Sequence, residues 1–550
     1  MFVQLIDRAP SAYDYQLIIK HLLLPPMVYS PKQEIVYRDL MRYDYTTFKQ
    51  RIGRLANVLK EQGVQPGNTI GVMDWDSHRY LECFFAIPMT GAVLHMVNIR
   101  LSPEQVLYTI NHAEDDVLLV NSDFLPVLEE IKDQIKTVKK IILMKDAASP
   151  SATKLELAGE YEDLLERAQI DYAFPDLDEN TKATTFYTTG TTGAPKGVYF
   201  SHRQLVLHTL GILTAMGSFK SQATFNSAEI YMPLTPMFHV HAWGFPYAAT
   251  MIGAKQVYPG RYEPETILKL VEKEKVTFSH CVPTILHMLL NNPSAQSIDL
   301  SHWSVIIGGS ALSKAMCKRA LEKGINVFSG YGMSETCPVL TLGKLKPHML
   351  DWDLDQQIRV RCRTGAPIPL VDLRVVDAEG NALPHDGVST GEVVVRSPWL
   401  TQGYFKDADK SEDLWAGGYL HTSDIGTIDG EGYLQVTDRI KDVIKTGGEW
   451  ISSLELEDIL TQHESVGEAA VIAVPDEKWG ERPLALVTLK EDYKDKATEE
   501  DIKKFFMGFV QKGVISKWGV PDKVLFVDSL AKTSVGKLNK RAMREQFARP

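Results

Sequence analysis

The chain has 550 residues, of which 44% are hydrophobic and 23% charged, and its formal net charge is -11. That length exceeds what one hydrophobic core organises and implies at least two domains, while the acidic balance argues against a nucleic-acid partner, whose phosphates demand a basic face. The five cysteines (Cys83, Cys281, Cys317, Cys337, Cys362) have no CxxC spacing, which excludes a zinc ribbon or a disulfide framework and fits a reducing, cytoplasmic setting. Asp7 and Arg8 interrupt the start of the chain, and no apolar run of about 18 residues follows anywhere, so no transmembrane segment is expected.

Apolar residues at Phe48, Ile52, Leu55, Ala56 and Leu59 keep helical spacing, and Gly63 with Pro66-Gly67 separates them from a strand at 69–73. A helix over about 78–87 leads to a strand at 92–97. Ser102-Pro103-Glu104-Gln105 then offers an N-cap with a first-turn proline before the next helix, and a strand follows at 116–120. This alternation predicts mostly parallel sheets covered on both faces. The charge cluster at 132–140 reads as a solvated helix face, and 145–180 as an irregular surface excursion holding one short helix. The α/β rhythm resumes over 186–327. From about 369 it yields to short β-branched runs at 373–376, 392–396, 427–429 and 433–436, a small antiparallel subdomain. Beyond Arg439 lies a compact segment with a helix at 454–461, strands at 468–474 and 484–489, a helix at 498–511 and a basic tail. The fold class is therefore α/β: a large N-terminal domain of doubly covered parallel sheets plus a small antiparallel β subdomain, then a small α+β C-terminal domain.

The segment Tyr187-Thr188-Thr189-Gly190-Thr191-Thr192-Gly193-Ala194-Pro195-Lys196-Gly197 joins a β-type run to a strand-like 198–200. Glycines let the backbone close around an anion, hydroxyls and amides donate to phosphate oxygens, and Lys196 adds a mobile positive charge, so the segment reads as a polyphosphate cradle. It is not a Walker A loop, because Gly197 follows the lysine where that motif requires Ser or Thr. Four further motifs follow in order: Gly330-Tyr331-Gly332-Met333-Ser334-Glu335-Thr336, Thr422-Ser423-Asp424, Asp438-Arg439-Ile440-Lys441-Asp442-Val443-Ile444-Lys445 and Lys532-Thr533-Ser534-Val535-Gly536-Lys537.

Together these motifs resemble the signature of the adenylate-forming superfamily, which includes acyl-CoA synthetases, luciferases and nonribosomal-peptide adenylation domains. The resemblance spans essentially the whole chain and is closest to bacterial medium- and long-chain fatty-acid-CoA ligases. It implies a two-step reaction: a carboxylic acid and ATP give an acyl-adenylate and pyrophosphate, and coenzyme A then takes the acyl group and releases AMP. Such chemistry brings two anions together and so requires cations and oriented donors.

By resemblance, Thr188, Thr189, Gly190, Thr191, Thr192, Gly193 and Lys196 cradle the phosphates, and Thr188 with Glu335 holds Mg2+. Tyr331 stacks on adenine and Gly309 allows close approach of the base, while Gly330, Gly332 and Thr336 also belong to the nucleotide site. Asp424, expected at the end of a strand, takes the ribose hydroxyls with Arg439, while Ser423 is structural. Lys441, Lys445 and Trp450 complete the nucleotide site. Lys537 bridges the substrate carboxylate and the α-phosphate, and Lys537, His239 and Lys196 form the catalytic set. The resemblance divides the chain into residues 1–438, a hinge at 439–445 centred on Lys441, and a mobile domain at 446–550. That domain rotates after adenylation to present Gly447, Gly448 and Glu449 to coenzyme A.

His239 of Pro236-Met237-Phe238-His239-Val240-His241-Ala242-Trp243-Gly244 should line the carboxylate site, with Trp243 as gate to an acyl tunnel and 278–284 as part of its wall. A medium- or long-chain fatty acid is the first choice of substrate. An aryl, alicyclic or methylthio-alkanoic acid is the alternative, and so is a carrier-protein-loading enzyme or a luciferase-like oxidase. Relatives are often homodimers, but sequence leaves the oligomeric state open.

Overall fold

The computed structural model describes residues 4–146, 152–188, 194–446, 449–494, 496–533 and 536–548. The expectations placed on Thr189, Gly190, Thr191, Thr192, Gly193, Gly447, Gly448 and the side chain of Trp450 lie outside what it describes.

Helix Tyr45–Glu61 shows how the pattern becomes structure. Asp44 caps it by accepting from the Thr47 amide at 2.8 Å, and Phe48, Ile52, Leu55, Ala56 and Leu59 are all fully buried. It packs on helix His78–Met89, which lies on a sheet of seven strands in the order Gly159–Glu160, Lys140–Met144, Asp115–Asn121, Thr69–Met73, Val93–Met96, Lys182–Tyr187 and Gly197–Ser201. Every pairing in that sheet is parallel except the last.

A second sheet of nine strands runs parallel from Glu34–Tyr37 through Lys255–Tyr258, Ile230–Leu234, Phe278–Cys281 and Ser304–Ile307 to Asn326–Gly332. Antiparallel strands close both of its ends. The third sheet is antiparallel throughout: Asp372–Val376, Gly391–Arg396, Leu420–Ile428 and Leu434–Arg439. A C-terminal sheet centred on Val466–Asp476 and Gly480–Leu489 packs its own apolar cluster against helices Ser453–Thr461 and Glu499–Gln511. Among the described residues no helix is long and apolar enough to cross a membrane.

Two local readings change. Residues 132–140 are a short 3-10 turn, a loop and the start of strand Lys140–Met144, not a helix face. Their lysines follow the sheet edge, where Lys139 pairs with Asp116 at 2.7 Å. Asp424 lies inside the nine-residue strand Leu420–Ile428 and not at a strand end. The β-branched run 427–429 understates that strand, because its first half is held by a bulged register against Gly391–Arg396, with Ser423 in the left-handed region at φ 59°.

Candidate active site

In parallel sheets the carboxyl ends of the strands open toward a common crevice, and ligands bind there. Here Lys182–Tyr187 leads into the cradle, Ile230–Leu234 into the His239 segment, Phe278–Cys281 into Val282 and Thr284, and Ser304–Ile307 into Gly308-Gly309. Strand Asn326–Gly332 ends in the Gly330-Tyr331-Gly332 motif itself. The His239 segment, Val282, Gly308-Gly309 and the Gly330-Tyr331-Gly332 motif thus follow neighbouring strands of the nine-stranded sheet.

The base of the cradle is closed by two bonds. The Thr188 amide donates to the Lys196 carbonyl at 2.8 Å, and the Lys196 amide donates to Thr188 Oγ1 at 3.4 Å. The Lys196 ammonium lies 4.4 Å from the centre of the Tyr404 ring, a cation–π contact. Its pKa is lowered first by burial; Glu335 opposes that shift, and Lys410 and Lys441 add to it.

Glu335 is buried, and its Oε1 accepts from the Tyr404 hydroxyl at 2.7 Å. The strand-level contact between Val198 and Tyr404 brings this tyrosine in. Nothing in the sequence pattern singles out Tyr404, since its partner lies 69 positions away. No described residue hydrogen-bonds or ion-pairs with Glu335 Oε2, and no cluster of three or more acidic, histidine or cysteine side chains able to hold a metal occurs among the described residues. One carboxylate oxygen and the Thr188 hydroxyl suit a hard cation that takes its other ligands from phosphate and water, as Mg2+ does.

Asp424 is 4% exposed. Its Oδ2 accepts from the Tyr331 hydroxyl at 2.6 Å and its Oδ1 from Arg439 Nε at 3.2 Å. An ionised carboxylate has about four lone-pair sites, so two oriented donors still leave room for the vicinal hydroxyls of a ribose. The bond to Asp424 also fixes the plane of the Tyr331 ring. Thr336 is fully buried and spends its hydroxyl inside its own turn, accepting from the Met333 amide at 3.0 Å and donating to the Pro338 carbonyl at 2.5 Å.

Lys537 enters this crevice from the C-terminal tail and lines two cavities together with His239 and Trp243. Gly309, at φ 77°, holds a conformation that other residues rarely adopt, and Lys537 Cε lies 2.9 Å from where a Cβ would stand. Desolvation lowers the Lys537 pKa to about 8; Arg439 pushes the same way, and Asp424 and Glu335 oppose. His239 is lowered to about 3, by burial first and then by Lys537 and Arg100, so it faces the cavities as a neutral imidazole.

The segment carrying His239 folds in an unexpected way. Val240, His241, Ala242 and Trp243 all have φ between 45° and 57°, followed by Gly244 at 78°. A left-handed turn of non-glycine residues costs roughly 1–2 kcal/mol per residue. It is held by His241 Nε2 against Thr184 Oγ1 at 2.8 Å and by close packing of Gly244 on His208. The turn presents Trp243 flat on His280, ring centres 5.0 Å apart, and sets Trp243 into both cavities. Val282 and Thr284 line the second cavity.

Three residues named from sequence lie elsewhere or at the margin. Lys441 stands near Lys196. Lys445 sits on the hairpin Ile444–Thr446 with Glu449–Ile451, its amide donating to Glu481 at 2.8 Å. Glu449 accepts from the Ser516 hydroxyl at 2.8 Å. Neither Lys445 nor Glu449 lines the cavities.

Known proteins resemble this chain in sequence and in fold. The profile of the AMP-binding enzyme family matches residues 28–405, and that of the AMP-binding enzyme C-terminal domain matches 455–537. A long-chain-fatty-acid–CoA ligase of Thermus thermophilus is 39% identical over 524 residues, covering 94% of this chain and 93% of the relative. A 3-methylmercaptopropionyl-CoA ligase of Ruegeria lacuscaerulensis is 38% identical over 538 residues, covering 96% and 97%. The crystal structure of the anthranilate CoA ligase AuaEII with anthranoyl-AMP superposes with a TM-score of 0.84 at 23% identity, covering 96% and 97%, a likeness of fold.

Proposed function

Because the chain belongs to the AMP-binding enzyme family, we propose that it is an ATP-dependent acyl-CoA ligase acting on a medium- or long-chain fatty acid. The carrying observation is that Lys537 reaches the cavity wall beside Gly309 and His239, close enough to Asp424, Arg439 and Glu335 to feel their charges.

The chemistry follows from that placement. A carboxylate approaching a phosphate is repelled, by about 4 kcal/mol for unit charges 4 Å apart at an effective dielectric near 20. One ammonium between them reverses the sign. Asp424 and Arg439 hold the ribose, the Tyr331 ring meets the adenine, and Lys196 with Thr188 meets the phosphates. Glu335 and Thr188 would hold Mg2+, which when bound neutralises polyphosphate charge. Neutral His239 adds no net charge beside the acid. Once pyrophosphate leaves, the acyl-adenylate is the electrophile for the thiol of coenzyme A, and AMP is released.

The cavity that reaches Gly330 and Tyr331 has apolar walls, including Val240, Trp243, Phe245, Ile306 and Leu342. Each methylene buried there contributes about 0.8 kcal/mol. Phe245 is backed by Phe278 and Phe225, with ring centres 5.3 and 5.4 Å from its own. These rings back the apolar wall on the Phe245 side.

The test is exchange of labelled pyrophosphate into ATP over straight-chain, methylthio-alkanoic and aryl acids, followed by thioester formation with coenzyme A in the absence of oxygen. Exchange greatest with straight-chain acids, and CoA-dependent turnover without oxygen, is the expected result. Exchange with no acid at all would sink the proposal, and a maximum at methylthio-alkanoic or aryl acids would reassign the substrate.

A further inference from the structure

Lys537 occupies the wall of both cavities next to His239 and Trp243. A second nucleophile cannot approach along that wall until the lysine withdraws. Contacts that hold Lys537 in place therefore bear on the first half-reaction alone.

Helix Ser453–Thr461 contacts the antiparallel sheet, helix Lys314–Glu322 and the tail that carries Lys537. At its start Asp438, which belongs to the antiparallel sheet, accepts from the Ser453 amide at 2.6 Å and its hydroxyl at 2.5 Å. Farther along, two adjacent carboxylates have different partners. Glu457 pairs with Lys540 at 2.8 Å and accepts from the Val471 amide at 2.8 Å, within the C-terminal fold. Lys540 lies three positions after Lys537 in the chain.

Asp458 reaches the other way, onto helix Lys314–Glu322. Its Oδ1 accepts from the Lys314 amide at 3.3 Å, and its Oδ2 lies 3.5 Å from Lys314 Nζ, with Gln462 also donating to Oδ2 at 3.3 Å. The Lys314 amide is among the donors that a helix start leaves without an intrahelical acceptor, and the helix dipole favours a carboxylate there. The Asp458 side chain is 26% exposed and that of Lys314 54%, so the attraction is screened and easily reversed. That suits a contact that must break before the thiol can enter.

We propose that Asp458 is a positioning residue for adenylation: it docks helix Ser453–Thr461 onto helix Lys314–Glu322 and, through the neighbouring Glu457–Lys540 pair, seats Lys537 beside Gly309. The kinetic half of this inference rests on the ligase reading above; the structural half does not.

The test uses the full chain with D458N, D458E and K314A. For D458N, pyrophosphate exchange should fall about fivefold to tenfold, with thioester formation from supplied acyl-adenylate unchanged. D458E should recover most of the rate. K314A, which keeps the amide contact, should lose about threefold. Amide hydrogen exchange over 453–461 and 536–540 should rise in D458N while 484–489 stays protected; this readout needs no turnover and also serves if activity is absent for other reasons. Equal slowing of both half-reactions, no slowing of exchange into ATP, or unchanged protection over those segments would overturn the proposal. A wild-type protein inert toward every acid would instead defeat the ligase reading, leaving the protection data to decide this one.

Discussion

The nucleotide side of the crevice and the Lys537 side are built on opposite plans. Asp424 has both oxygens engaged by Tyr331 and Arg439, and Glu335 is pinned by Tyr404. The groups that would meet ribose and metal are thus oriented in advance by neighbouring side chains. The Lys537 ammonium, by contrast, has no hydrogen bond or ion pair to a described residue. Its backbone is tethered by Thr533 Oγ1 at 3.2 Å, and Thr284 donates to the neighbouring Gly536 carbonyl at 3.4 Å. On the proposed reading, the contrast teaches that groups serving every step are preorganised, whereas the group serving one step is held loosely enough to leave.

The largest expected effect comes from Lys537→Ala. Adenylation should fall on the order of 10³-fold, the loss of a preorganised charge at the reacting oxygens, while thioester formation from supplied acyl-adenylate persists; single-turnover assays of each half-reaction measure this. Equal loss in both would erase the distinction between the two sides.

Asp424→Ala should cost about 2–3 kcal/mol, roughly 10²-fold in kcat/KM for ATP, because it removes a charged acceptor and strands Tyr331 and Arg439. Both half-reactions should suffer, since the nucleotide is held in each. A defect confined to adenylation would break the comparison from the other direction.

The pH profile follows from burial of Lys537. Its amine, lowered to about 8, is charged below that pH and neutral above it, and only the charged form attracts two anions. The adenylation kcat/KM should therefore decline about tenfold per unit above pH 8, whereas the thioester step lacks this decline. Finally, Tyr404→Phe frees Glu335 to rotate and should raise the Mg2+ concentration for half-maximal exchange by about tenfold, with little change in the acid's KM.

Much of this was legible in the chain. The spacing of Phe48, Ile52, Leu55 and Leu59 marked a helix because one face had to be buried, and Lys196, Glu335, Asp424 and Lys537 could be singled out because polyphosphate, ribose and carboxylate would each demand a particular group. Strand limits around Asp424 were less legible, because a bulge and the left-handed Ser423 interrupt the alternation that periodicity detects. The left-handed turn at 240–243 carried no signal at all, for its residue types disfavour that conformation locally.

By itself the sequence determined the alternation of strands and helices, the order of the motifs and the types of charge available, all properties of neighbouring residues. Only the tertiary structure decided that Tyr404 would steady Glu335, that His241 would hold a strained turn against Thr184, and that Asp458 would meet the start of a helix 144 positions earlier. Those pairings depend on which strand ends and helix termini the packed core brings within hydrogen-bond reach, and no local propensity encodes that distance.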